Sequence, residues 1–380
     1  MTNFYLAAVC AVVPGLGRST IFKLMQAAYD ARRIFYADAA FLRSTGLCTE
    51  DAIIKFISNR DEQLPQRLEH FCRQNGVRLL TLFDEAYPAS LKEISDPPLV
   101  LYVKGELPTE PYAVAVVGSR SCTAYGERAA AYFARLLTLK GLPIISGGAR
   151  GIDTAAHKSC LEAGGKTVAV LGCGIDIAYP SQNRTLFAKI AQGGGAVISE
   201  YAPGMQPLSA NFPARNRIIV GLARAVLVAE AGRRSGAVIT ANIAADENRD
   251  VYCVPGNIFD GTSAGCHELI RNGAKLVEEP QELLDDLAGW QQTMSLKATQ
   301  PSIFDCPVPT IAAPKPVIKT TELGTKLLEL LQDGAKTLEQ LTEGSGVSFA
   351  LVSMELLDMQ VAGLSHRTRR SATTAGRGID

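Results

Sequence analysis

No charge sign dominates this chain of 380 residues: 38 Lys and Arg offset 38 Asp and Glu. A protein that grips nucleic acid over its whole surface carries a strong basic excess. Composition therefore excludes that mode and leaves only a local patch. Long apolar runs are missing as well. None reaches the ~18 residues that a membrane-spanning helix needs, so no membrane partner is expected. Paired cysteine motifs are absent too. The nine cysteines, at 10, 48, 72, 122, 160, 173, 253, 266 and 306, are odd in number and include no Cys-x-x-Cys pair. That argues against a disulfide framework and against a zinc site, and reduced thiols in a cytoplasmic protein are the simpler expectation. The apolar start from Phe4 to Gly17 has no Lys or Arg before it and runs into a polar helix pattern, so it reads as structure rather than as a secretion signal.

Nucleotide fingerprints are also incomplete. The stretch Glu162–Thr167 (EAGGKT) imitates the end of a P-loop, but Cys160 stands where the first glycine is required and the segment precedes a strand. Gly172 and Gly174 begin a dinucleotide fingerprint whose third glycine position is Ile177. No cofactor is expected, and no His, Cys and carboxylate cluster has metal-ligand spacing.

What the chain does contain is an ordinary globular balance, 47% apolar and 20% charged, at a length that predicts two or three domains. Residues 1–75 read as short helices joined by glycine turns, a helical domain of helix-hairpin-helix or SAM-like type. Its turn Pro14–Thr20 (PGLGRST) suits either phosphate binding at a helix start or a plain helical hairpin. Residues 76–111 read as a connector with one short strand. From Tyr112 the pattern changes to short apolar runs alternating with helical stretches: AVAVVGS, LPIISGG, KTVAVLGCG, GAVISEY, AVLVAEA and DVYCVPG. Such runs are strands buried on both faces. Their alternation with helices predicts an α/β fold for 112–288, a Rossmann-like, doubly wound and mostly parallel sheet. Residues 289–321, rich in Pro, Thr, Ser and Ala, read as a linker. Helical periodicity returns over 322–366 and suits a small winged-helix-like domain. The last segment, 367–380, reads as a basic, disordered tail.

In an open parallel sheet, ligands bind beyond the carboxyl ends of the strands. Those ends combine glycine with Ser, Arg or Asn: Gly118, Ser119 and Arg120; Ser146, Gly147, Gly148 and Arg150; the run ending at Asn183; and Arg215, Asn216 and Arg217 after Phe212. Glycine lets a ligand approach the backbone, and helix starts favour anions. Segment 205–234 holds five Arg against one Glu, a local charge of +4 in a neutral chain. Four such loops along one edge point to a phosphate-rich ligand. Phe212 either stacks a base or points into the core. Asp153 and His157, four apart at a helix start, either form an acid–base pair or serve as a helix cap with a packed imidazole.

The motifs GSR, SGGARGIDTAAH, VAVLGCGIDIAYPSQN, SEYAPG, FPARNRIIVGLARAVLVAEA, SGAVITA, and VPGN followed by GCHELIRNGAKLV fall in that order between 118 and 277. In this the chain resembles the DNA-processing protein A (DprA/Smf) family. The resemblance implies a homodimer that binds single-stranded DNA and helps load a RecA-type recombinase during natural transformation, with no catalytic residues. It implies a DNA site on Arg120, the Ser146–Gly147–Gly148 turn, and Phe212 with Arg215 and Arg217. It implies a dimer contact on the segment carrying His267, Ile270 and Leu276. Two features depart from many relatives: the loop before Phe212 reads PLSAN without a lysine, and the C-terminal segment lacks a Gly-aromatic wing. The competing class is a nucleoside-monophosphate N-glycosidase of the "lonely guy" type, whose Pro-Gly-Gly-x-Gly-Thr-x-x-Glu segment supplies a catalytic Glu. Here the corresponding stretch is EAGRRSGAVIT, with Glu230 as the nearest carboxylate.

Overall fold

The structure, a computed structural model, describes residues 2–12, 15–27, 30–110, 112–287, 321–332, 336–361, 365–367 and 372–375. The chain forms two units, residues 1–297 and 298–380. The first is built on nine strands: β1 (Val77–Thr81), β2 (Val100–Gly105), β3 (Val114–Val117), β4 (Ile144–Ser146), β5 (Thr167–Val170), β6 (Ala196–Ser199), β7 (Ala225–Val228), β8 (Asp250–Cys253) and β9 (Lys275–Leu276). They lie in the order β1-β2-β6-β5-β4-β3-β7-β8-β9. From β6 to β9 every pairing is parallel, with Ala115 of β3 set between Ile145 and Val226. All four residues of β3, β5, β6 and β7 are buried, which is why these strands are continuous in Val, Ile and Ala. The expected Rossmann-like α/β sheet is what the chain forms.

Strand order runs β3 to β6 toward one edge and β7 to β9 toward the other, so the chain switches direction between β3 and β7. The helices that follow the central strands are α8 (Ala124–Leu139), α9 (Ile152–Glu162), α10 (Arg184–Gln192), α11 (Asn211–Leu222), α12 (Gly236–Asp246) and α13 (Ala264–Arg271), preceded by the short α7 (Ala89–Lys92).

Residues 76–111 are not a connector. They supply two strands, β1 and β2, which extend the sheet by antiparallel pairing onto β6. Nor do residues 1–75 stand apart. Their helices, α1 (Thr2–Ala11) to α6 (Leu64–Asn75), bury Leu24, Ile34 and Phe56 in one core with Tyr102 of β2, Ala169 of β5 and Val197 of β6. The apolar face on this side of the sheet needs cover, and these helices provide it. In the PGLGRST turn, Arg18 donates to Asp96 (2.6 Å) and Glu200 (3.3 Å). Its side chain is thus committed to the protein rather than to a phosphate. Residue 14 of that turn lies outside the described residues.

The second unit has three helices, Glu322–Gln332, Leu338–Ser345 and Phe349–Val361, around a small core of Leu327, Leu331, Leu341, Val352 and Leu356. Thr337 opens the middle helix in a reciprocal cap with Gln340. The C-terminal segment adds the strands Ser365–Arg367 and Ala372–Ala375, which pair with each other, and the second also pairs with Lys336–Thr337. Part of the expected tail is therefore a paired β-ribbon, where a winged helix carries its wing. The expected linker lies almost wholly outside the described residues.

Candidate nucleic-acid interface

A cleft of 760 Å³ opens at the β3/β7 switch point, where an open α/β sheet leaves room for a ligand. The loop after β3 forms its first wall. Gly118 lets that loop pass close to α9, because a Cβ there would come within 2.5 Å of Ile152. The loop is pinned by Ser119 N–H donating to Glu230 O (2.8 Å) and by Ile152 N–H donating to Ser119 O (3.2 Å). So held, it sends Arg120 outward. Arg120 is exposed, and its guanidinium lies 5.0 Å from the centroid of the Phe212 ring. This is cation–π distance.

Helix α11 forms the second wall. Phe212, Arg215, Asn216 and Ile219 all line the cleft, the i, i+3, i+4, i+7 spacing of one helix face. The Phe212 ring rests on Gly172, where a Cβ would fall 2.9 Å from it. It stands 5.3 Å from the exposed Tyr179 ring.

Arg215 closes the floor. It is 3% exposed, and Nη1 donates to the carbonyls of Gly147 (2.7 Å) and Val170. Its Nε has no hydrogen-bond partner. Burial pulls this guanidinium down to about 10, against the pull of the Asp153 carboxylate, so it stays charged at neutral pH. Burial raises Asp153, with Arg215 opposing. Gly147 passes between them: a Cβ there would lie 2.8 Å from both Arg215 Nη2 and Asp153 Oδ2. Asp153 does not cap α9, whose N-cap is Gly151; its Oδ2 accepts from Ala149 N–H (3.1 Å). His157 is fully buried, its Nδ1 2.7 Å from Thr167 Oγ1, and burial holds it down to about 3. It is neutral at physiological pH and turned to the core, not to an acid–base pair.

The expected site residues thus separate. Gly118, Ser119, Arg120, Phe212, Arg215 and Asn216 come together around the cleft. Ser146, Gly147, Gly148 and Asn183 lie beneath it. Ser146 Oγ donates to Val116 O (2.7 Å), and Asn183 Nδ2 donates to Gly148 O (2.9 Å) and Thr154 Oγ1 (2.8 Å). These four brace the loop from below. Arg150 is exposed but does not line the cleft. Arg217 turns away altogether. Its Nη1 and Nη2 meet Glu200 at 2.8 and 2.7 Å, and its Nε meets Asp96 Oδ2 at 3.0 Å. Buried and saturated with carboxylates, it holds helix α11 to the β6 end and is not on the rim with Arg120.

Several lining residues were not singled out from the sequence: Tyr179, Arg234, Ser235 and Ile239. Tyr179 and Arg234 do sit in strand-end loops. Glu230, the carboxylate of the glycosidase alternative, is 1% exposed and off the cleft lining. Its carboxylate accepts from Thr123 N–H (2.9 Å) and from the Thr123 hydroxyl. Of the expected dimer residues, His267 Nε2 lies 3.1 Å from Gly256 O, and Ile270 packs partly against the sheet's own core. Leu276 is 41% exposed on β9, the last strand of the sheet. Among the described residues, no group of three His, Cys, Asp or Glu is placed to hold a metal, and no helix is long and apolar enough to cross a membrane.

Comparison with known proteins points one way. Residues 78–288 match the family model for DNA recombination-mediator protein A. The DNA processing protein DprA of Streptococcus pneumoniae is 50% identical over 205 residues, 54% of this chain and 72% of that protein. A crystal structure of DprA from the same species superposes with a TM-score of 0.63 at 38% identity, covering 75% of this chain and 98% of that one. A structure of DNA processing protein A from Helicobacter pylori, from work on its single-stranded DNA binding mode, matches with a TM-score of 0.50 at 30% identity, covering 56% of this chain and 96% of that one.

Proposed function

The chain belongs to the DNA recombination-mediator protein A family, and from that membership we propose that it binds single-stranded DNA in the β3/β7 cleft. The observation that carries this reading is the Arg120–Phe212 pair: an exposed guanidinium beside an accessible ring, over a buried Arg215. A guanidinium takes a phosphate and a ring takes a base. We further propose that the bound strand is protected and handed to a RecA-type recombinase during natural transformation. These steps place the protein in the cytoplasm. We read the protein as a binding protein rather than an enzyme, which the enclosure of Glu230 by Thr123 supports. The test is a salt titration of binding to single- and double-stranded DNA of equal length. Single strands should bind more tightly, with steep salt dependence. Arg120→Ala should weaken binding to all sequences and lower the salt slope by roughly 0.7, the share of one phosphate contact. A folded Arg120→Ala protein with an unchanged slope would remove the pair from the interface.

We also propose that the protein works as a homodimer through its β9 edge. The last strand of the sheet leaves Leu276 exposed at its edge, and a twofold contact would cover that leucine symmetrically. Leu276→Arg should give a folded monomer by light scattering. Its binding to long single strands should weaken, because two linked sites reinforce each other. A persistent dimer would move the interface elsewhere.

A further inference from the structure

With single-stranded DNA held by Arg120 and Phe212, one wall of the cleft is left without a role. That wall is the loop after β7 and the first turn of α12, with Arg234, Ser235, Gly236 and Ile239 facing the cavity. Three features of it call for a ligand. Arg234 is exposed and makes no ion pair among the described residues. With Arg120 and Arg215 it sets three guanidinium groups around the cleft against one carboxylate, Asp153, a surplus of +3 − 1 = +2. The buried Arg215 brings its guanidinium to the floor, with an Nε that is enclosed and has no hydrogen-bond partner. The third feature is Gly236. It is the first residue of an 11-residue helix, its backbone is not left-handed, and a Cβ there would meet no atom within 4 Å. The fold has no need of a glycine at this position. A ligand that comes up against the backbone does.

The helix end is already organised. Ser235 caps it by accepting from Ala237 N–H (3.3 Å), and the positive end of the helix dipole faces the cavity. Given single-stranded DNA binding in this cleft, on which the proposal rests, we infer that this wall holds a second phosphate of the same strand. The phosphate sits between Arg234 and the start of α12, across the cleft from the nucleotide held by Arg120 and Phe212. The strand then crosses the cleft rather than lying along one rim. A fixed phosphate on this wall also supplies an anion grip that the lysine-free PLSAN loop does not.

Three variants test this, with Arg120→Ala as the reference. Arg234→Ala should lower the salt slope for single-stranded DNA by roughly 0.7. Arg233→Ala removes an equal charge from the neighbouring exposed position, outside the cleft lining, and should leave the slope nearly unchanged. Gly236→Ala should bind DNA several-fold more weakly at an unchanged or higher melting temperature, since alanine favours the helix. If Arg233→Ala and Arg234→Ala act equally, the wall contributes only diffuse charge and the inference fails. It also fails if Gly236→Ala binds as wild type. If Arg120→Ala weakens binding while Arg234→Ala and Gly236→Ala do not, the second phosphate is lost but the DNA reading stands. If wild-type protein does not bind single strands, both fall together.

Discussion

Arg217→Ala should destabilise the folded protein by about 3 kcal/mol, at the lower end of the cost of breaking a buried ion pair. The side chain of Glu200 is only 6% exposed, and Arg217 supplies its two shortest contacts. Removing the guanidinium leaves a carboxylate in a site that water reaches poorly. Arg18, 3.3 Å from the same carboxylate, offsets part of the loss, which is why the low end is expected. Urea melts measure this directly. Arg217→Met combined with Glu200→Leu removes both charges and should recover much of the stability, because replacing both partners costs far less than stranding one. The outcome also decides between two roles. A folded Arg217→Ala protein of unchanged stability that no longer bound DNA would return Arg217 to the interface.

That two arginines of one motif play different parts follows from helix geometry. Positions 215 and 217 lie about 200° apart on an α-helix, hence on opposite faces. The NFPARNR segment reads naturally as a strand-end loop rich in cations, and in that reading its arginines share a rim. Placed on α11, Phe212 and Arg215 stay together while Arg217 swings toward Glu200. The parallel strands were legible for the opposite reason: burial on both faces leaves continuous Val, Ile and Ala, a pattern that needs no partner to recognise. β1 was not legible. Its VRLLT run is short, with an exposed Arg78 inside it, and its place is set by antiparallel pairing with β2 rather than by its own periodicity. The ribbon at 365–375 escaped notice because SHR and ATTA carry no apolar alternation. The Arg234 wall could have been suspected from the strand-end loop EAGRRSGAVIT. Its sharing one cavity with Arg120 could not, since that depends on β3 and β7 being neighbours in the sheet.

Phe212→Ala should cost about 1–3 kcal/mol of single-stranded DNA binding, the measured range for one base–aromatic stack, or roughly 5- to 150-fold in affinity. The salt slope should hardly move, because no charge is removed. The ring is half-buried, braced by Gly172 below and Tyr179 beside it, and Arg120 already lies over it at 5.0 Å. A base that slips between guanidinium and ring is sandwiched by both. The two residues therefore act as a unit, and the double variant Arg120→Ala, Phe212→Ala should lose less than the sum of the single losses. Phe212→Leu separates stacking from packing: it keeps apolar volume in the brace but has no π-face, so it should melt close to wild type and still bind weakly. If Phe212→Leu binds as wild type, or if Phe212→Ala melts early yet binds normally at a temperature where it is folded, the ring is a packing residue and the base lies elsewhere in the cleft.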